Sequence, residues 1–184
     1  MRAYFVLLIL ASAASSAQPY TFRGISQSLT CEEARAKEAA LGSVFVREDT
    51  PNASEPLYKH YLFNGTLYDA PVEIRLGCLT LQGSGRQILY DGFYTFHSRE
   101  SVPANAFLDR IIRELKPTFG APRETPDVWN KPDGTSTVIG KRVLFACVND
   151  AHSGYALMAL LRNPVQAQSD YQVWLNIRYV GGPC

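Results

Sequence analysis

The side chains able to do chemistry are few, and their spacing decides what they could do. His60, His97 and His152 are the three histidines, and none stands in an H-E-x-x-H or similar ligand pattern. The densest group is Asn149-Asp150-Ala151-His152-Ser153, which places a carboxylate, an imidazole and a hydroxyl in one turn. A small secreted hydrolase using His152, or alternatively His97, is the enzymatic reading. Side chains of adjacent residues rarely converge as nucleophile and base, however, and a turn between strands accounts for Asn149, Asp150, Ser153 and Gly154 without catalysis. Glu32 and Glu33 form a carboxylate pair, but both fall in the first turn of a helix, where capping and the helix dipole explain them. Gly83-Ser84-Gly85 is a lone G-x-G with no phosphate loop around it, so no cofactor is expected. The four cysteines contain no C-x-x-C and have no histidine pair nearby, which speaks against zinc and against dithiol redox chemistry.

Trp174 is different in kind. In Tyr171 to Val180, Tyr171, Val173, Leu175, Ile177 and Tyr179 alternate with Gln172, Trp174, Asn176 and Arg178. A strand with one wet face has no solvation reason to place an indole among Gln172, Asn176 and Arg178. Tryptophan and arginine are enriched at interface hot spots, so these four residues are the candidate binding surface, with Trp174 as anchor and Arg178 as its charged neighbour. The competing reading is that another element covers Trp174. Tyr58, Tyr61 and Trp129 add aromatic surface elsewhere.

The elements that must position these residues centre on Gln87 to Gly120. Ile88, Tyr90, Tyr94 and Phe96 predict one face of a strand, with Gly92 leaving a gap that suits a bulge. Phe107, Leu108, Ile111, Ile112 and Leu115 then recur at helical spacing, opposite Asp109, Arg110, Arg113 and Glu114. Such a helix must lie on a sheet. Earlier in the chain, Thr30-Cys31-Glu32-Glu33 matches a capping box for a helix running to about Leu41, with Gly42 as its stop and Ala36, Ala39, Ala40 and Leu41 as its small apolar face. Arg47 to Pro56 reads as a loop. Leu57 to Phe63 and Val72 to Cys78 read as a hairpin whose connection begins at Asn64-Gly65. Arg123 to Thr137 is polar and turn-rich, and Lys141 to Val148, Gly154 to Leu161 and Tyr171 to Val180 are strands. The expectation is an α+β fold: an antiparallel sheet of about six to seven strands under two helices, with a duplicated α-β-β-β unit as its simplest description.

Met1 to Ala17 carries one cation, an apolar run over Tyr4 to Leu10, and Ser15 and Ala17 at the positions of a cleavage site, so it reads as a signal peptide. Gln18 to Cys184 is then a single domain, with no later stretch apolar enough to span a bilayer. The formal charge of +1 becomes neutral once Arg2 is removed, which argues against nucleic acid or an anionic membrane as the main partner. Export to an oxidising compartment favours paired cysteines. Cys31, in the first turn of the first helix, and Cys78, on the inward parity of Val72, Ile74 and Leu76, are expected to bond, stabilising by roughly 3–4 kcal/mol in the chain-entropy model. Cys147 and Cys184 remain as the second pair, tying down the tail after Gly181-Gly182-Pro183.

Phe22-Arg23-Gly24-Ile25, the capped helix at Thr30, and the phrase from Phe107 to Phe119-Gly120-Ala121-Pro122 together resemble small exported bacterial α+β proteins, mostly uncharacterised, similar in architecture to β-lactamase-inhibitor-like domains. The resemblance implies a fold and a periplasmic or secreted setting and transfers no functional residue. With no catalytic motif in the chain, the expected function is a non-enzymatic binding or inhibitor-like role toward another protein in the envelope or outside the cell.

Overall fold

The computed structural model describes residues 21–26, 29–50, 57–130, 134–149, 154–163 and 170–178. The leader, His152 and Cys184 lie outside the described residues, as do the side chains of Trp129 and Cys147.

The chain opens with a two-residue ladder, β1 (Thr21–Phe22) against β2 (Ile25–Ser26), turned by Arg23 and Gly24 at positive φ. Phe22 and Ile25 are buried, and Phe22 packs edge-on against Tyr94 at 5.3 Å between ring centroids. Helix α1 (Cys31–Ala40) follows the capping box as expected: the Glu33 amide donates to the Thr30 hydroxyl at 3.2 Å, and the Thr30 amide donates to the Glu33 carboxylate at 2.7 Å. Those two Thr30 donors, amide first and then hydroxyl, hold the Glu33 carboxyl below its ordinary range. The buried side of α1 is not the alanine face, however. Ala36, Ala39, Ala40 and Leu41 are exposed, and Cys31, Ala34 and Glu38 face inward.

Glu38 is a fully buried carboxylate on the apolar side of the sheet. It accepts from the Ser43 hydroxyl at 2.9 Å, the Tyr94 hydroxyl at 2.5 Å and the Arg23 guanidinium at 3.3 Å. With three donors around it the charge is compensated, which is the condition for burying one at all. The same Arg23 also donates to the Thr66 carbonyl at 2.8 Å, so this cluster ties the N-terminal arm, α1 and the sheet together.

Four strands come next: β3 (Val44–Asp49), β4 (Tyr58–Leu67), β5 (Ala70–Thr80) and β6 (Gln87–Ser98). Helix α2 (Ser101–Phe119) follows, and then β7 (Arg123–Asn130), β8 (Ser136–Asn149), β9 (Gly154–Arg162) and β10 (Tyr171–Arg178). They form one eight-stranded antiparallel sheet in the order β3-β4-β5-β6-β10-β9-β8-β7. Each half is therefore a helix followed by four strands rather than three, and the halves meet where β6 pairs with β10. The α+β class with two helices stands, and the sheet has eight strands where six to seven were expected. The two unexpected strands are the two edges. β3 replaces the start of a supposed loop, and β7 a supposed polar turn. β7 contains Pro126, which an edge strand tolerates because one row of its backbone groups has no neighbour to serve.

Helix α2 packs over β6, β10, β9 and β8 through Ala104, Phe107, Leu108, Ile111 and Leu115, while α1 covers β5 and β6. Both helices thus sit on one face, which holds Ile74, Leu76, Val143, Val173, Leu175 and Ile177, all at 1% exposure or less. Gly120 at φ 78° ends α2 where the sequence places its stop. The Cys31–Cys78 disulfide forms inside this core, joining α1 to β5.

Two local expectations are overturned. The turn between β4 and β5 is Tyr68-Asp69, both at positive φ as a two-residue hairpin loop requires, and Asn64-Gly65 lies within β4. Gly65 is there because of close approach: a Cβ would come within 2.5 Å of the Ser43 hydroxyl and 2.8 Å of Ile74. In β6 the register slips opposite Gly77 and Cys78, two residues before Gly92. Leu89 takes the core position, and Tyr90 turns to the other face, against Tyr58 and Arg178, so it does not share a face with Tyr94 and Phe96. Among the described residues no helix is long and apolar enough to cross a membrane.

Candidate functional site

The sheet face opposite the helices carries the alternate residue of every strand. Along β10, Gln172, Trp174, Asn176 and Arg178 pair in register with His97, Thr95, Phe93 and Asp91 of β6. Thr95, Phe93 and Asp91 pair in turn with Glu73, Arg75 and Gly77 of β5. The rows continue outward through Leu62 of β4 to Arg47 of β3. A groove of about 540 Å³ runs across these strands, lined among others by Val46, Arg47, Glu73, Arg75, Phe93, His97, Gln172 and Trp174. Gln172 and Trp174 thus reach the groove, whereas Asn176 and Arg178 lie farther along the same face. Asn176 donates to the Gly92 carbonyl at 3.5 Å, and the Arg178 guanidinium stands 6.0 Å from the Tyr90 ring.

Arginine over aromatic is the recurring unit of this face. The Arg162 guanidinium lies 4.7 Å from the Trp174 ring, and that of Arg75 lies 4.0 Å from the Phe93 ring. Arg162 is held by Asp127, whose carboxylate accepts from it at 3.2 Å and from Arg142 at 3.1 Å. Asp127 is 3% exposed, so this ion-pair network shapes the approach to Trp174 from the β7 side. On the β9 side Trp174 stands in register with Leu160, which is buried although it belongs to the open face. Trp174 itself is half-buried. A guanidinium on one flank and a leucine beside it give the indole a local reason to occupy a polar parity, and leave part of it facing solvent.

Asp91 is a second buried acid of this face, 6% exposed. The Tyr58 hydroxyl donates to its Oδ2 at 2.9 Å, while Oδ1 is buried without a hydrogen-bond partner. Burial pushes the Asp91 carboxyl above its ordinary range, against the opposing pull of the Tyr58 hydroxyl, Arg75, Arg178 and the Gly77 backbone amide. The Tyr58 hydroxyl is pushed up as well, first by its own burial and then by the Asp91 charge. The pair occupies the space over Gly77, where a Cβ would come within 2.2 Å of Asp91 Oδ1 and 2.4 Å of the Tyr58 oxygen. His60 stacks edge-on against Tyr58 at 4.9 Å, and burial followed by the Arg75 charge depresses its imidazole.

His97 stands 3.6 Å from Glu73 at the rim of the groove, an imidazole beside a carboxylate. Thr95, two residues along the same face, is the one hydroxyl residue in the lining among the described residues. Among the described residues no group of three or more His, Cys, Asp or Glu is placed to hold a metal ion.

Sequence reasoning did not single out Arg75, Phe93, Asp91, Arg162 or Asp127. A signal existed for two of them. Arg75 occupies the outward parity between Ile74 and Leu76, and Phe93 the outward parity beside Tyr94, so the alternation of these two strands places a cation and a large apolar residue on their open face. No family model, curated protein sequence or solved structure matches the chain.

Proposed function

We propose that the protein is an exported, non-enzymatic binding or inhibitor-like protein of the periplasm or the extracellular space, whose open sheet face takes a protein partner through Trp174, Gln172 and the groove beside them. The observation that carries this reading is the groove itself: about 540 Å³ across five adjacent strands, with Trp174 on its wall. The Cys31–Cys78 disulfide fits the oxidising compartment that such a role implies. Interfaces concentrate their energy in a few aromatic and arginine residues inside a partly desolvated pocket, and this face offers that composition on a rigid sheet. The test is capture of partners from envelope extract by the mature protein and by Trp174→Ala, with Val102→Ala, at an exposed residue of α2, as the control. The reading expects partner affinity to fall by about 2 kcal/mol or more for Trp174→Ala and to be unchanged for the control. Equal capture by all three proteins contradicts it.

A hydrolase is the second reading, favoured by the His97–Glu73 contact in the same groove. It requires Thr95 or an activated water as nucleophile. Hydrolysis of chromogenic esters or peptides that disappears in His97→Ala would establish it in place of the binding role.

A further inference from the structure

We propose that the groove receives a carboxylate from an acidic segment of the partner protein, and that Arg75 is the cation that takes it. This rests on the reading of the open face as a binding surface and names the chemistry of its ligand. Arg75 is half-buried on β5, with its guanidinium over the Phe93 ring. Its Nε is buried and has no hydrogen-bond partner, and among the described residues no carboxylate makes an ion pair with it. Of the other charged groups lining the groove, Arg47 pairs with Asp49 at 2.9 Å, and Glu73 lies 3.6 Å from the His97 Nε2. Asp91 is close enough to feel the Arg75 charge, but its engaged oxygen belongs to Tyr58.

A partly desolvated guanidinium with unused donors is costly in an empty groove and rewarding in a filled one, because charge-assisted hydrogen bonds are the strong ones. A guanidinium lying over a ring keeps its in-plane N–H donors free, and their planar fork matches the two oxygens of a carboxylate. Trp174 supplies an apolar wall in the same groove, which suits a side chain flanking the acid.

The test uses the mature protein carrying Trp129→Phe, so that Trp174 is its sole indole, titrated with hexaglutamate, hexalysine and a thymidine oligonucleotide. Saturable perturbation of Trp174 emission by hexaglutamate is expected, with none by hexalysine. Arg75→Gln should weaken hexaglutamate by about tenfold or more, and Arg75→Lys, which keeps the charge but loses the fork, by less. The proposal is overturned if hexaglutamate gives no saturable change, if Arg75→Gln binds it equally, or if the oligonucleotide binds more tightly. A partner whose capture depends on Trp174 but is unaffected by Arg75→Gln would overturn this inference while leaving the binding role intact.

Discussion

Glu38 and Asp91 are both buried carboxylates, one on each face of the same sheet, and their surroundings differ in kind. Glu38, under α1, has Arg23, Ser43 and Tyr94 donating to its two oxygens. Asp91, on the open face, has Tyr58 on one oxygen and no side-chain donor on the other, and two residues away in register Arg75 carries an Nε without a partner. Around Glu38 every donor fastens one element to another, although on the same side Arg35 of α1 and Arg110 of α2 each keep a buried Nε without a hydrogen-bond partner. On the open side Asp127 has both oxygens engaged by Arg142 and Arg162, while Asp91 Oδ1 and Arg75 Nε are left over. The two acids are told apart by this local polar accounting more sharply than by exposure, since Asp91 is nearly as buried as Glu38.

Breaking the closed side should cost most. Glu38→Ala leaves Arg23, whose side chain is 16% exposed, as a near-buried cation without its partner, and should lower unfolding free energy by about 3–5 kcal/mol in urea titration. Glu38→Gln, which keeps one acceptor oxygen in place and fills the same volume, should cost less. If alanine is tolerated within ~1 kcal/mol, the cluster does not fasten the arm to the sheet. Next in size, Cys31→Ser with Cys78→Ser should lose about 2–4 kcal/mol, since the bond spans 47 residues, and non-reducing peptide mapping should recover the Cys31–Cys78 link.

The open side should respond to pH more than to truncation. Because burial raises the Asp91 pKa, the folded protein holds this proton more tightly than the unfolded chain does. The contribution therefore favours folding fully below the ordinary carboxylate value of about 3.9, and is lost as pH rises through the higher folded-state value. Asp91→Asn, which still accepts from Tyr58, removes that dependence. The wild type should thus gain stability relative to Asp91→Asn as pH falls through this window, and a pH-independent difference between the two would show that Asp91 ionises normally in the fold.

Legibility followed the same division of faces. The inward positions of β5 and β10, the capping box of α1 and the face of α2 were readable because each repeats a periodicity that burial enforces. β3 and β7 were not, because an edge strand is paired on one side only. Val44, Phe45 and Val46 are all substantially exposed, and Arg123 to Asn130 is as polar as any loop. Glu38 was hidden for another reason: its three partners, Arg23, Ser43 and Tyr94, are scattered along the chain and only tertiary structure unites them. The open face was legible only through its anomaly, a tryptophan at a polar parity. Arg75 and Arg162 look like ordinary surface cations until the register sets one over Phe93 and the other over Trp174.

Trp174 and Leu175 are neighbours on β10 whose side chains point to opposite faces, so truncating each in turn measures the two faces with one backbone. Leu175 is fully buried beneath the helices, and Leu175→Ala should cost about 2–5 kcal/mol of unfolding free energy. Trp174→Ala should cost about 1 kcal/mol or less, chiefly the contact with the Arg162 guanidinium. That asymmetry is the result expected if the open face is held ready for a partner. Equal losses for the two variants, with Trp174→Ala at roughly 3–5 kcal/mol, would make Trp174 a core residue and contradict the assignment of this face to binding.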